Sequence, residues 1–112
     1  MDIARMMEAL ATAVVACDAE FNVIYANPKG LQLFKELLNM ENFVGRHMAD
    51  CHKPETMEKL KKLFQEYKEN KRKLDYYTMD VPSGKLTIVN VPLYEGHTFI
   101  GVMEFIFEGS LA

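Results

Sequence analysis

Two neighbouring side chains, Cys51 and His52, are the first candidates for chemistry in this chain. A thiolate and an imidazole both bind metals, and an imidazole also transfers protons near neutral pH. The other cysteine, Cys17, has no CxxC spacing to Cys51, and the pair has too few partners for a structural zinc site. Free thiols favour a cytoplasmic location. His52 is therefore a candidate for binding, against the simpler interpretation that its side chain serves a turn.

Asn90 is the second polar candidate, because it interrupts an otherwise apolar strand and shares one strand face with Leu86 and Ile88. A buried amide needs a hydrogen-bond partner, so Asn90 bonds either to backbone or to a ligand. The sequence contains no Gly-x-Ser-x-Gly motif, no phosphate loop and no paired metal-ligand spacing. We therefore predict that the chain is not an enzyme.

The bulk composition predicts one globular domain. The chain has 112 residues, of which 49% are hydrophobic and 26% charged, with a net charge of −3. Most lysines lie on or near one predicted helix and alternate with glutamates, without interleaved aromatic residues, which indicates a solvated helix face and no nucleic-acid partner. No run of 18 apolar residues exists, so no membrane partner is expected either.

Hydrophobic periodicity predicts the elements that position these residues. Strands are predicted over 12–17, 22–26, 74–80, 85–94 and 98–107, and helices over 29–38 and 55–70, after an amphipathic helix in residues 1–10. Asn27 and Pro28 provide an N-cap and a first helical residue, and the helix that follows is expected to bury Leu31, Phe34 and Leu38. The order predicts an α+β fold with a five-stranded antiparallel sheet and the helices inserted between strands 2 and 3.

Both faces of the predicted sheet are largely apolar. In the last strand, simple alternation places Phe99, Met103 and Phe105 on one face and Ile100 and Val102 on the other. A sheet wetted on one side would instead alternate between apolar and polar residues. One face must therefore cover the helices, and the N-terminal helix or a second subunit must cover the other. We predict a homodimer that buries the N-terminal helix and the outer sheet face.

Three segments in this order, residues 22–28, 44–55 and 83–92, resemble the PAS domain, a sensory and signalling module. The matching residues are Val23–Asn27 at a strand-to-helix junction, Gly45, Arg46, Asp50, His52 and Pro54 in the central segment, and Pro92, Leu93, Gly96 and Gly101 in the closing hairpin. Two features depart from the family pattern: the turn after Asp18 lacks a glycine, and no Asp-Ile-Thr follows the last strand. The resemblance divides the chain into a cap helix (1–10), a PAS domain (11–108) and a tail (109–112).

The resemblance implies a sheet that cups a small cavity under its helices. The module would bind a small, mostly apolar ligand or cofactor there, relay its state through the sheet and dimer contacts, and form part of a larger signalling protein. The alternative is a ligand-free PAS domain that serves protein interaction and dimerisation. The residues expected to contact a ligand are Met48, His52, Met57, Leu60, Phe64, Ile88 and Asn90.

The identity of the cofactor is left open by the sequence. Some PAS sensors hold heme through a histidine on this side of the cavity, which makes His52 the candidate axial ligand and metal-binding residue of a gas or redox sensor. A flavin-binding subclass has a segment similar to Gly45–Arg46 and Pro54–Thr56. Its reactive cysteine is replaced here by Met48, whose thioether cannot act as the nucleophile, and this argues against flavin.

Overall fold

The computed structural model describes residues 1–109, whose strands form one antiparallel sheet in the order β2-β1-β5-β4-β3. The elements are α1 (Ile3–Ala9), β1 (Ala13–Asp18), β2 (Val23–Ala26), α2 (Pro28–Leu38), α3 (Pro54–Lys68), β3 (Asp75–Val81), β4 (Gly84–Glu95) and β5 (Thr98–Glu108), with a 3-10 turn at Met48–Asp50. The predicted α+β fold with a five-stranded antiparallel sheet is confirmed. Of the predicted tail, residues 110–112 lie outside the described residues.

Asn27 fixes the junction between β2 and α2. Its side chain is fully buried, and its Oδ1 accepts hydrogen bonds from the N–H groups of Gly30 (2.9 Å) and Val14 (3.0 Å). Its Nδ2 donates to the carbonyl oxygens of Thr12 (2.8 Å) and Met7 (3.4 Å). The predicted N-cap is therefore present, and the same amide also ties α2 to β1 and to the end of α1.

The face that α2 turns to the sheet differs from the predicted one. Gly30 is the buried residue of this helix, and a Cβ added there would lie 2.8 Å from the carbonyl oxygen of Val14. This close approach sets the helix rotation, so that Leu33, Phe34 and Leu37 pack towards the core and Leu31 and Leu38 are each 43% exposed. Phe34 was predicted correctly, whereas Leu31 and Leu38 were not.

The apolar stripe of α3 packs into the core. Met57, Leu63, Phe64 and Tyr67 are buried, at the helical spacing that the sequence predicts. Phe64 stacks on Phe21 with ring centroids 4.3 Å apart, and the Tyr94 hydroxyl donates to the carbonyl oxygen of Tyr67 at 2.7 Å. The first contact holds α3 against the turn between β1 and β2, and the second holds it against the β4–β5 hairpin.

We call the sheet face under α2 and α3 the inner face. It presents Ala13, Val15 and Cys17 of β1, Leu86, Ile88 and Asn90 of β4, and Phe99, Val102, Glu104 and Ile106 of β5. The prediction that Phe99 and Val102 lie on opposite faces of the sheet is wrong. The β4–β5 register shifts between Leu93 and Tyr94, which leaves Ile100 without a partner on β4 and turns Phe99 into the core.

The N-terminal helix α1 packs only lightly on the domain. Asp2 caps it by accepting a hydrogen bond from the Arg5 N–H at 2.9 Å, and none of its residues is buried. The apolar side chains of Ile3 and Met6 are 77% and 53% exposed. Within residues 1–109, no helix combines the length and the apolar character needed to cross a membrane.

Candidate functional site

A small internal cavity lies between α3 and the inner face of the sheet. Its volume is about 40 Å³, which leaves room for no more than about three water molecules. Aromatic stacking occupies the space around it, since Phe34 lies on Phe43 with centroids 4.2 Å apart and Phe21 lies on Phe64. The interior beneath α3 is therefore filled mainly by side chains.

Most of the predicted ligand contacts surround this cavity. Met48, His52, Leu60, Phe64 and Asn90 line it, together with core residues of β1 and β5. Two predicted residues lie elsewhere: Ile88 lines a separate groove, described next, and Met57 is buried without lining either space. The structure thus brings together five of the seven predicted side chains, and their contact with a ligand stays a prediction.

A larger groove opens between α2, the start of α3 and the inner face of β3 to β5. Its volume is 580 Å³, within the range of about 300–1,000 Å³ that is usual for small-molecule sites. Its walls are mainly apolar: Leu33, Phe34, Leu37, Leu38, Tyr77, Met79, Val81, Pro82, Leu86, Ile88 and Ile106, with Cys51, His52, Lys53, Thr56, Asp80 and Glu104 as the other lining residues. We call this space the β3 groove. It shares Phe34, His52 and Glu104 with the internal cavity.

Glu104 is a polar site residue that the sequence analysis missed. It lies on β5 directly across from Asn90 on β4, and it lines both the cavity and the β3 groove. Burial raises the pKa of its carboxyl to about 7, although a hydrogen bond from the Asn90 side chain acts in the opposite direction. The sequence does carry a signal for this residue. Glu104 is an acidic residue in an otherwise apolar strand, and its spacing of two residues from Val102 and from Ile106 places it on the same strand face as both.

The buried amide of Asn90 therefore has a partner that neither predicted alternative included. Its side chain lies beside the Glu104 carboxyl and favours the ionised form of that acid, while its backbone carbonyl accepts a hydrogen bond from the Tyr67 hydroxyl at 3.4 Å. An amide and a carboxyl thus sit side by side in an apolar surrounding. Both line the internal cavity, and the Glu104 carboxyl also reaches the floor of the β3 groove.

Cys51 and His52 both turn towards the Met48 carbonyl oxygen. His52 Nδ1 lies 2.8 Å from this oxygen, and Cys51 Sγ lies 3.4 Å from it and 3.2 Å from His52 Nδ1. Burial, followed by the charge of Asp50, raises the pKa of the Cys51 thiol, so this cysteine is not an activated thiolate.

The fit of heme depends on space as well as on the imidazole. The imidazole of His52 is a side chain of the type that serves as an axial heme ligand. The internal cavity that it lines is only about 40 Å³, about a tenth of a typical cofactor pocket. The residues present therefore do not fit a heme in the internal cavity where the family resemblance would place it.

Comparison with known protein families gives a match over nearly the whole chain. A family model described as PAS domain matches residues 3–108. No curated protein matches the chain. The family match covers α1, the five strands and both core helices, so it includes the cavity and the β3 groove.

Solved structures show the same fold at low sequence identity. The C-terminal domain of a Streptococcus mutans protein matches with a TM-score of 0.74 and 18% identity, over 91% of this chain and 78% of its own. A sensory box sensor histidine kinase from Vibrio cholerae gives 0.63 and 11%, over 98% and 90%. The Aer2 receptor from Vibrio cholerae, a dual PAS-heme oxygen sensor, gives 0.61 and 17%, over 86% and 92%. With the family match, the conclusion is that this chain belongs to the PAS domain family of signalling sensor modules.

Proposed function

We propose that this PAS domain senses a small, mostly apolar ligand that binds in the β3 groove and alters the sheet beneath it. One observation carries the proposal: the groove is 580 Å³ in volume and mainly apolar, and Glu104 places a carboxyl on its floor. Such a combination of apolar walls and a few convergent polar groups is typical of small-molecule sites. The filled internal cavity offers no comparable space.

The position of the groove suggests how a signal would be relayed. Its floor is the inner face of β3, β4 and β5, so a ligand would press on strands whose opposite face carries Val89, Val91 and Phe105. These outer side chains are half-buried and could contact a second copy of the chain. We propose that ligand binding changes these dimer contacts, and that the domain acts within a larger signalling protein.

A ligand-free interaction module is the alternative function. The stacked aromatic side chains around the small cavity favour it, because a filled interior needs no cofactor for stability. In that case the exposed apolar side chains of α1 would carry the whole function through dimerisation. The two functions differ in one respect that can be measured, which is whether the β3 groove takes up a small molecule.

The proposal can be tested with 1-octanol as the probe. Thr56 is exposed at the rim of the β3 groove, so Thr56→Trp should fill the opening without disturbing the core. Gln65→Trp places the same bulk at an exposed position on α3 outside the groove. In NMR titrations we expect saturable shifts in the wild type and in Gln65→Trp, and at least about tenfold weaker binding in Thr56→Trp. Equal binding by all three proteins, or binding by none, would contradict the proposal.

Heme sensing is a lesser alternative, and an absorption spectrum distinguishes it from sensing of a small apolar ligand. After expression with added heme, the purified wild-type protein should show no Soret band, because the internal cavity where the family resemblance would place heme is only about 40 Å³. A Soret band that disappears in His52→Ala would reverse this conclusion. The spectrum would then favour a gas or redox sensor over a sensor of small apolar molecules.

A further inference from the structure

We propose that the ligand of the β3 groove is a cationic amphiphile, with an alkyl or aryl body and one ammonium group, and that the Glu104 carboxylate is its anchor. This inference rests on the proposed function, because it names the ligand class of the same groove. It depends on three observations: the acid forms no ion pair within residues 1–109, it lies across from the neutral amide of Asn90, and the walls of the groove are mainly apolar.

Glu104 lacks a counter-ion within the part of the chain that the structure describes. The ion pairs of residues 1–109 involve other acids, such as Asp80 with Lys85 and Glu66 with Arg72. The partner of the Glu104 carboxyl is instead the neutral amide of Asn90. Removing a charge from water without a counter-ion is unfavourable, so ionisation of Glu104 should lower the stability of the folded domain.

The other titratable groups around Glu104 do not change this balance. The ones that line the cavity or the groove with it are Cys17 on β1, Cys51, His52 and Lys53 before α3, and Tyr77 and Asp80 on β3. Burial raises the pKa of the Cys17 thiol to about 12, and burial and the Glu104 charge also raise the pKa of Tyr77, so both stay neutral. Lys53 and Asp80 are exposed and carry opposite charges. Neither His52 nor Lys53 forms an ion pair with Glu104, so within residues 1–109 its carboxylate has no salt-bridge partner at the groove.

A ligand ammonium would supply the missing partner. Its N–H groups would donate to the Glu104 carboxylate, and such charge-assisted bonds are stronger inside a protein than in water. The ligand's apolar body would lie along Leu37, Met79 and Ile88, which line the groove above the acid. A ligand carboxylate would instead meet Glu104 as a like charge, so the site should select cations over neutral molecules and exclude anions.

Three probes of equal chain length test this selection: n-octylamine, 1-octanol and octanoate. In NMR titrations of the wild-type protein at about pH 8, octylamine should bind at least about tenfold more tightly than octanol, and octanoate should bind more weakly than either. Because the acid is protonated in acid solution, the preference for octylamine should shrink at about pH 5.5. In Glu104→Gln, the preference for octylamine should be lost at both pH values, and octanol should bind at least as tightly, because the ammonium would lose water without gaining a counter-charge.

The control is Asp80→Asn, which removes an exposed carboxylate from the rim of the same groove. It should retain the preference for octylamine, since the anchor remains. Equal affinities of the wild type for octylamine and octanol, or an unchanged preference in Glu104→Gln, would overturn the inference while the proposed function stands. If octanol and octylamine both fail to bind, the proposed function fails and the inference fails with it.

Discussion

Glu104 and Asn90 form the polar pair that distinguishes the inner face of this sheet. They are cross-strand partners on two central strands, and both side chains lie among apolar residues. This arrangement places a neutral amide beside the carboxyl, and within residues 1–109 the carboxyl forms no ion pair. A side chain that lowers stability when ionised is more readily explained by a binding role than by a structural one.

The loss of stability on ionisation of Glu104 should appear in the pH dependence of the unfolding free energy. The pKa of Glu104 is about 7 in the folded protein against an ordinary 4.5, so the folded state binds the proton more tightly. Its stabilising effect is complete below pH 4.5 and is lost as the pH rises towards 7. Relative to Glu104→Gln, the wild type should therefore lose up to about 3 kcal/mol across this range.

Urea denaturation of both proteins at several pH values measures this difference. Glu20→Gln, at an exposed turn position, serves as the matched control and should follow the wild-type curve throughout. Parallel curves for the wild type and Glu104→Gln between pH 4.5 and 8 would show that the carboxyl is not desolvated.

At the scale of the elements, α3 seals the internal cavity and α2 bounds the β3 groove. Gly30 brings α2 close to β1 at one end, while Leu33 and Leu37 line the groove. The first turn of α3 contributes Thr56 to the rim of the groove, and its middle contributes Leu60 and Phe64 to the cavity. Substitutions at different positions on α3 can therefore alter the groove and the cavity independently.

Leu60→Trp should overpack the interior and leave the groove intact. Leu60 is half-buried beside a cavity of about 40 Å³, which cannot accept an indole ring. We expect a loss of about 1–3 kcal/mol in unfolding free energy and an unchanged affinity for 1-octanol. Thermal denaturation and the NMR titration measure the two quantities. Loss of octanol binding in a folded Leu60→Trp protein would place the ligand in the cavity instead.

The sequence predicted the positions of the helices and strands better than it predicted which of their residues face the core. Asn27 with Pro28, and the spacing of Met57, Phe64 and Tyr67, identify helix starts and a buried stripe because capping and periodicity are local properties. Helix α2 has apolar residues around much of its circumference, so its rotation depends on a tertiary contact at Gly30. The β5 alternation fails at Ile100 because a register shift is a property of two strands.

The candidate site was predictable only in part for similar reasons. Family resemblance identified several residues around the cavity, such as His52 and Phe64, because they lie on elements with fixed places in the fold. The volume of the cavity depends on how Phe21, Phe34 and Phe43 stack, and sequence spacing does not encode this. The role of Glu104 became visible only when the register placed it across from Asn90.

At the scale of the whole molecule, α1 is the element that most needs a partner. A helix of seven residues is marginal alone in water, and α1 leaves Ile3 and Met6 exposed. These side chains lie beside a domain whose outer sheet face is also apolar. Burial against a second copy of the chain would stabilise both surfaces.

Deletion of residues 1–10 should therefore weaken self-association without unfolding the domain. The double variant Ile3→Asp with Met6→Asp should have the same effect in the full-length chain, whereas Arg5→Ala on the polar side of α1 should not. Analytical ultracentrifugation over a concentration series measures the dimer constant of each protein. A wild-type protein that is monomeric at every concentration would refute the homodimer prediction.

The location of a bound ligand can be measured directly by intermolecular NOEs between 1-octanol and the methyl groups of the wild-type protein. If the β3 groove is the sensory site, the octanol alkyl chain will show NOEs to Leu37, Met79 and Ile88, which line the groove. NOEs to Val15, Val23 and Leu60, which line the internal cavity, would instead contradict binding in the groove. The absence of any NOE at saturating octanol would contradict ligand sensing by this domain.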